Sequence, residues 1–230
     1  MNLIKRFKNH RKKMNHYEDW LREKGVRIGT NAFISPEFSI IDLFSPFLIT
    51  IGDNVCIPSD VRILTHDCAR SVVARKTGHI YGGGGPVTIG NNVYIGMHTT
   101  ILRNTTIGDN VIIGANSLVK GKIESDSVYA GCPAKRICSI EEYETKIKSR
   151  QYDEAVEIAK AYKRRFGSNP PESIYQKYDY FMLWSNVEEH ISRVKDAYPT
   201  RNCEKVIIEN KGHKPMFRNY EDFINSIKDL

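Results

Sequence analysis

An aliphatic residue recurs at every sixth position from Ile89 to Val119: Ile89, Ile95, Ile101, Ile107, Ile113 and Val119. Glycine follows it at Gly90, Gly96, Gly108 and Gly114. A period of six fits no helix and is too long for the two-residue period of a strand. It suits a short strand and a bend, repeated, with the aliphatic side chain turned into a core and glycine letting the backbone turn. Three such units close a triangular turn, and successive turns stack as parallel strands about 4.8 Å apart. This period is the signature of a parallel β-helix.

The same form opens at Ile28-Gly29 and continues through Ile34 and Ile40. The phase then slips between Ile40 and Ile51, where Asp42-Leu43-Phe44-Ser45-Pro46 interrupts, and resumes at Ile51, Ile57 and Ile63. A larger break runs from Leu64 to Val87 and holds Thr65-His66-Asp67, a polar basic stretch, and Gly82 to Gly85 before Pro86. The interval from Ile63 to Ile89 is not a multiple of six, so a loop is inserted here. Insertions in repeat folds cluster on one face, often the binding face. The glycines lack a following Lys-Ser/Thr, so they are no P-loop; they read as a flexible return into the coil.

Both flanks change period. Residues 1–25 read as a basic N-terminal helical cap over the open end of the coil, whose strand edges need covering. Peripheral contact with a membrane surface is a second reading of this helix. After residue 138 a helical C-terminal appendage begins with the capping box Ser139-x-x-Glu142. Ile147, Ala155, Ile158, Ala159, Tyr162 and Phe166 follow at helical spacing, and Gly167 and Pro170 stop the helix. A second helical segment over about 171–197 carries Ile174, Tyr178, Phe181, Met182 and Trp184, whose aromatic stripe reads as core. Val206 to Ile208 reads as a short strand, and Asn219 caps a last helix holding Phe223, Ile224 and Ile227. The expected organisation is therefore a cap at 1–25, a β-helix domain at 26–138 with an inserted loop at 64–88, and an appendage at 139–230.

Composition narrows the function classes. No apolar run approaches the roughly 18 residues that cross a bilayer, and the N-terminus lacks the apolar core of a signal peptide. Five cysteines without a Cys-x-x-Cys pair argue against a disulfide framework or zinc knuckle and for a reducing cytoplasm. The net charge of +7 gives a basic surface. It also suits attraction to anions: cofactor phosphates, an acidic polysaccharide precursor, or an anionic membrane. No nucleic-acid recognition motif accompanies it.

The regular wall only stacks, so chemistry belongs where the pattern fails. His66 stands at the mouth of the inserted loop, soon after the inward Ile63. A histidine of ordinary pKa, about 6.5, is mostly neutral at pH 7 and can take a proton from a hydroxyl attacking a carbonyl. A neighbouring carboxylate fixes its tautomer and stabilises the imidazolium. Asp42, in the first phase break, and Asp67 both suit that role or a hydrogen bond to a sugar hydroxyl, and Asp67 equally suits a turn cap.

Ile51-Gly-Asp-Asn-Val, Thr65-His66-Asp67, Ile89-Gly-Asn-Asn-Val-Tyr-Ile-Gly, Ile107-Gly-Asp-Asn-Val-Ile-Ile-Gly-Ala and Ala130-Gly-Cys-Pro-Ala-Lys together resemble the hexapeptide-repeat acyltransferases. They resemble in particular the galactoside and maltose O-acetyltransferases and the O-acetyltransferases of capsule and surface-polysaccharide gene clusters. The resemblance covers about residues 26–138. It implies a left-handed prism, a homotrimer, and acetyl-CoA bound in the groove between neighbouring prisms. It makes His66 the general base and the acceptor a saccharide, with no metal. On the coenzyme A side it points to Tyr94 near the pantetheine arm, Met97 where a backbone contact falls, and Ala115 against the pantetheine. It adds Lys120 and Gly121 where the family commonly has Thr-Lys, and Lys135 with Arg136 for the 3′-phosphate.

Other chemistries stay open. Cys68, two residues past His66, offers an acyl-enzyme route. The γ-type carbonic anhydrases share the fold and place three histidines on zinc, for which His66, His79 and His98 are the candidates here, but their spacing departs from that pattern. N-acetylation of an amino sugar needs the same base. A structural β-helix subunit would bind no acetyl-CoA.

Overall fold

The computed structural model describes residues 17–185 and 214–227. The chain divides into two compact units at Tyr143/Glu144. In the first, α1 (Tyr17–Glu23) leads into fifteen short strands. They are β1 (Arg27–Ile28), β2 (Phe33–Ile34), β3 (Ile40–Ile41), β4 (Ile49–Ile51), β5 (Cys56–Ile57), β6 (Arg62–Ile63), β7 (Val87–Ile89) and β8 (Val93–Ile95). There follow β9 (Thr100–Ile101), β10 (Thr105–Ile107), β11 (Val111–Ile113), β12 (Leu118–Val119), β13 (Lys122–Ile123), β14 (Ser127–Ala130) and β15 (Lys135–Ser139). Every third strand joins the same sheet, in the orders β1-β4-β7-β10-β13, β2-β5-β8-β11-β14-β15 and β3-β6-β9-β12. Pairing is parallel except for β15, which returns antiparallel along β14. The chain thus coils through three sheets, one strand in each per turn, as the six-residue period requires.

Inside, Ile51, Ile89 and Ile107 stack on the first sheet, Ile57, Ile95 and Ile113 on the second, and Ile63, Ile101 and Val119 on the third, all buried. Equivalent corner residues measure the turn length. Asn91 and Asp109 lie 18 residues apart, three sixes. Thr30 and Asp53 are separated by 23 and Asp53 and Asn91 by 38, which locates the two interruptions within single turns.

Asparagine makes one of the three corners. Asn31, Asn54, Asn92 and Asn110 all adopt φ between 52° and 56°, a left-handed conformation that short polar side chains tolerate best. Their side chains form a vertical ladder, Asn31 to Asn54 at 2.6 Å, Asn92 to Asn110 at 2.8 Å and Asn110 to Asp126 at 2.8 Å. The glycines of the repeat answer to close approach between turns. A Cβ on Gly96 would sit 2.4 Å from the Ala115 amide nitrogen. Gly96→Ala is therefore expected to cost about 1–3 kcal/mol, read as a lowered midpoint in urea denaturation; an unchanged midpoint would show that the turns can separate freely.

Three sequence expectations need correction. The inward residue of the third strand is Ile41, 6% exposed, while Ile40 is 52% exposed. The phase therefore already slips between Ile34 and Ile41, because one extra residue precedes the left-handed corner residue Phe38 (φ 57°), which stands where Asp60, His98 and Asn116 stand in the later turns. The inserted loop carries a helix of its own, α2 (Arg70–Thr77), closed by Gly78 in the left-handed region. Its glycine return is anchored at its end: Gly84 bridges His66, the Gly85 N–H donates to the Thr65 carbonyl at 2.8 Å, and Asn104 fills the space a Gly85 side chain would need.

The capping box forms as expected. The Glu142 N–H donates to Ser139 Oγ at 3.1 Å and the Ser139 N–H to Glu142 Oε2 at 2.7 Å. It starts α3 (Ile140–Phe166). In the second unit Ala155, Val156 and Ala159 pack with Tyr175, Leu183, Trp184, Phe223 and Ile224. Of the segment expected to be helical over about 171–197, residues 186–197 lie outside the described residues, and the remainder is not one continuous helix. It comprises α4 (Glu172–Gln176) and a 3₁₀ turn over Tyr180–Leu183, broken by Asp179 at φ 59°. Tyr175 takes the core position and Tyr178 is exposed. Asn219 caps α5 (Tyr220–Ser226) by accepting from the Asp222 N–H at 2.8 Å. Residues 1–16 of the cap and the strand expected at Val206–Ile208 lie outside the described residues.

Candidate active site

The residues that follow the third-sheet strands form one vertical edge of the coil. Asp42 follows β3, Leu64 follows β6, Leu102 follows β9 and Lys120 follows β12. The first three are held by the turn below them. The Asp42 N–H donates to the Ile63 carbonyl at 3.0 Å, that of Leu64 to Ile101 at 2.9 Å, and that of Leu102 to Val119 at 2.9 Å. Both interruptions of the repeat leave the coil at this edge. The first puts Asp42 on it, and the second puts Thr65 and His66 one turn away.

Asp42 and His66 meet there, 24 residues apart in sequence. His66 Nδ1 lies 2.6 Å from Asp42 Oδ2. The same oxygen accepts from the Thr65 N–H at 2.9 Å and the Thr65 hydroxyl at 2.5 Å, and Oδ1 accepts from the Phe44 N–H at 2.9 Å. Burial of Asp42 would raise its pKa, but the Thr65 hydroxyl, the Phe44 and Thr65 amides and His66 together outweigh it and bring the carboxyl down to about 2. An ionised carboxylate offers no proton, so neutral His66 must carry its hydrogen on Nδ1. Nε2 is then a free base. The His66 side chain remains 33% exposed while that of Asp42 is nearly sealed.

His66 opens into a cleft of about 330 Å³ lined by Leu64, Asp67, Leu102, Arg103, Asn104 and Lys120. Asp67, weighed above as a partner for His66, turns elsewhere. It accepts from the Ala69 N–H at 2.9 Å and from Arg103 Nε at 3.2 Å. The Ala69 amide, helped by Arg103 and Arg70, holds its carboxyl below the usual range.

The remaining candidates occupy other places. Gly121 follows Lys120 at φ 76° with open space around it. Tyr94 stands on the outer face of the second sheet, 44% exposed, its pKa raised by partial burial. Met97 and Ala115 lie at the corner between the second and third sheets, one above the other, with the Asn116 N–H donating to the Met97 carbonyl at 2.9 Å. Lys135 and Arg136 are exposed on β15. A single chain thus brings Lys120 to His66 and carries Tyr94, Met97, Ala115, Lys135 and Arg136 on a different sheet and edge. His98 pairs through Nδ1 with Asp60 at 2.6 Å on that second edge, so His66 and His98 do not share a centre. No group of three metal-binding side chains converges among the described residues. None of the described cysteines, Cys56, Cys68, Cys132 and Cys138, forms a disulfide.

Sequence reasoning missed Thr65, Phe44 and Arg103. Thr65 adjoins His66, so its buried hydroxyl on Asp42 was open to inference from the Thr-His pair. Nothing in the residue pattern places the Phe44 ring over His66, where it lies with centroids 4.8 Å apart.

A family model for the bacterial transferase hexapeptide (six repeats) matches residues 86–121. Protein CapG of Staphylococcus aureus is 42% identical over 136 residues, 59% of this chain and 78% of that one. The chain belongs to the hexapeptide-repeat acyltransferase family. Another relative, the galactoside O-acetyltransferase of Escherichia coli (strain K12), is 36% identical over 115 residues, 50% of this chain and 54% of that enzyme. Among solved structures, a hexapeptide-repeat-containing acetyltransferase of Vibrio cholerae O1 biovar eltor, complexed with acetyl coenzyme A, is 29% identical with a TM-score of 0.43. That match covers 50% of this chain and 61% of the other. The chain spans only about half the length of the galactoside enzyme. No described helix of this hexapeptide-repeat protein is long and apolar enough to cross a membrane.

Proposed function

We propose that this hexapeptide-repeat protein is an acetyl-CoA-dependent O-acetyltransferase acting on a saccharide hydroxyl in surface-polysaccharide synthesis. The observation that carries the reading is the Asp42–His66 pair, with Nε2 left as a base facing a cleft. Nε2 takes the proton of the acceptor hydroxyl as its oxygen bonds to the thioester carbonyl carbon. The carbon–sulfur bond then breaks, the proton passes from the imidazolium to sulfur, and coenzyme A departs as a thiol with the acetyl ester left on the sugar. Asp42 stays ionised throughout and stabilises the transient imidazolium. The direct route needs no acyl-enzyme, and exposed Cys68 does not line the cleft.

The reading includes a left-handed coil and a homotrimer. Support for the trimer is geometric. Lys120 stands beside His66, whereas Tyr94, Met97, Ala115, Lys135 and Arg136 stand on another sheet and edge. One groove using both sets needs a second copy, whose second-sheet face would line the opposite wall. The outer positions of that sheet, Phe33, Cys56, Tyr94 and Ile112, are mostly apolar, whereas the first sheet presents Arg27, Thr50, Thr88, Thr106 and Lys122 at the equivalent positions.

The test is calorimetry with coenzyme A, followed by acetyl-CoA turnover against a panel of methyl pyranosides, with thiol release and the acetyl position as readouts. Binding and sugar-dependent thiol release are expected. A chain that binds no coenzyme A is a structural subunit, and acetyl found on nitrogen moves the activity to amino sugars.

A further inference from the structure

The interruption that supplies Asp42 also sends a ring outward. Of its residues Asp42 is 8% exposed, while Phe44 is 80% and Phe47 75% exposed. Apolar side chains scattered singly on a surface need no explanation, but Phe44 is not placed at random. Its N–H donates to Asp42 Oδ1 at 2.9 Å, so the carboxylate that fixes His66 with one oxygen fixes the Phe44 backbone with the other. The Phe44 ring lies against the imidazole, centroids 4.8 Å apart and planes 35° apart. One carboxylate therefore holds both the base and the backbone of a large exposed aromatic residue whose ring lies against that base.

A pyranose has polar edges and an apolar face of C–H bonds. Its hydroxyl must come within about 3 Å of Nε2 for proton transfer. A ring held at that distance from His66 passes beside Phe44, whose exposed face is apolar and available. Covering that face removes apolar surface from water on both partners. A small polyol has no such face to offer.

We propose that Phe44 is the acceptor platform: it stacks on the C–H face of a pyranoside ring and presents one ring hydroxyl to His66 Nε2. This rests on the acyl-transfer reading and adds to it a selection for cyclic sugars. The platform acts on acceptor binding, so its signature is a change in the acceptor KM and not in the coenzyme A affinity.

The experiment uses the full chain, acetyl-CoA, and whichever methyl pyranoside of the panel the wild type acetylates fastest, with glycerol as the acceptor lacking a ring. Phe44 is mostly exposed, so Phe44→Ala removes little core packing. Phe44→Ala is expected to raise the pyranoside KM by about tenfold or more with a much smaller change in kcat. Its preference for pyranoside over glycerol should collapse, while calorimetric coenzyme A affinity and oligomeric state stay as in the wild type. Phe44→Tyr should restore the KM to within about twofold. An unchanged pyranoside KM in Phe44→Ala overturns the platform while leaving acyl transfer standing. So does a KM change accompanied by dissociation of the oligomer, which would make Phe44 an interface residue. A wild type that binds coenzyme A but acetylates no sugar overturns the transfer reading, and the platform with it.

Discussion

Replacing His66 with alanine is expected to lower sugar-dependent turnover by about 10²–10⁴-fold while leaving the coil folded and coenzyme A bound. The size of the effect follows from the absence of a substitute base: in the cleft, Asp67 is engaged by Arg103 and the Ala69 amide, and Arg103 and Lys120 are cations. The fold survives because the side chain is partly exposed and its loss does not orphan Asp42, whose carboxylate keeps the Thr65 hydroxyl and the amides of Thr65 and Phe44. Steady-state rates with circular dichroism and calorimetry on the same sample check this. Near-wild-type turnover in the variant would remove His66 from the mechanism and with it the main support for the proposed function.

Asp42 carries the second large effect, and on two readouts. Asp42→Ala frees His66 to take either tautomer and leaves the buried Thr65 N–H and hydroxyl without their acceptor. Turnover should fall by about 10²-fold or more, and the fold should weaken as well, since each buried polar group left unpaired costs about 1–3 kcal/mol. The pH dependence separates charge from shape. The carboxyl sits at about 2 in the folded chain against an ordinary 3.8, so the folded state favours the ionised form. That stabilisation, about 2 kcal/mol by linkage, is fully present above the ordinary value and is lost as pH falls through the folded one. Thermal melts of the wild type and Asp42→Asn should therefore differ most near neutrality and converge between about pH 4 and about pH 2. A gap that stays constant over that range would mean that the carboxylate is not held as the geometry indicates.

The coil was legible because its period is rigid. One aliphatic residue per strand must point inward, and any corner needs a residue that tolerates a left-handed bend, so Ile89 to Val119 with Asn92 and Asn110 leaves little choice of fold. The third strand shows the limit. Ile40 and Ile41 are both apolar, and composition cannot say which faces the core when the preceding bend has gained a residue before Phe38. His66 was legible as a candidate from its place at a break. Its partner was narrowed to Asp42 or Asp67, with a turn-capping role equally open for Asp67, whose side chain is taken by the Ala69 N–H and Arg103. Asp42 lies 24 residues away, which the coil reduces to one turn. The glycine return also misled. Glycine was read as freedom, whereas at Gly85 it records the lack of room beside Asn104.

The separation of base and carboxylate onto successive turns has a consequence for the molecule as a machine that must assemble. Neither turn contains a working pair by itself; the pair comes into being only when β6 docks in register beneath β3. In a stack where each layer touches only its neighbours, the outer layers open more readily than the middle. The dyad bridges the first and second layers, beside the end that α1 adjoins. Under the proposed mechanism, chemical competence is thereby tied to closure of one terminus, and a chain whose first layer has lifted would be inactive even while the rest of the stack stands.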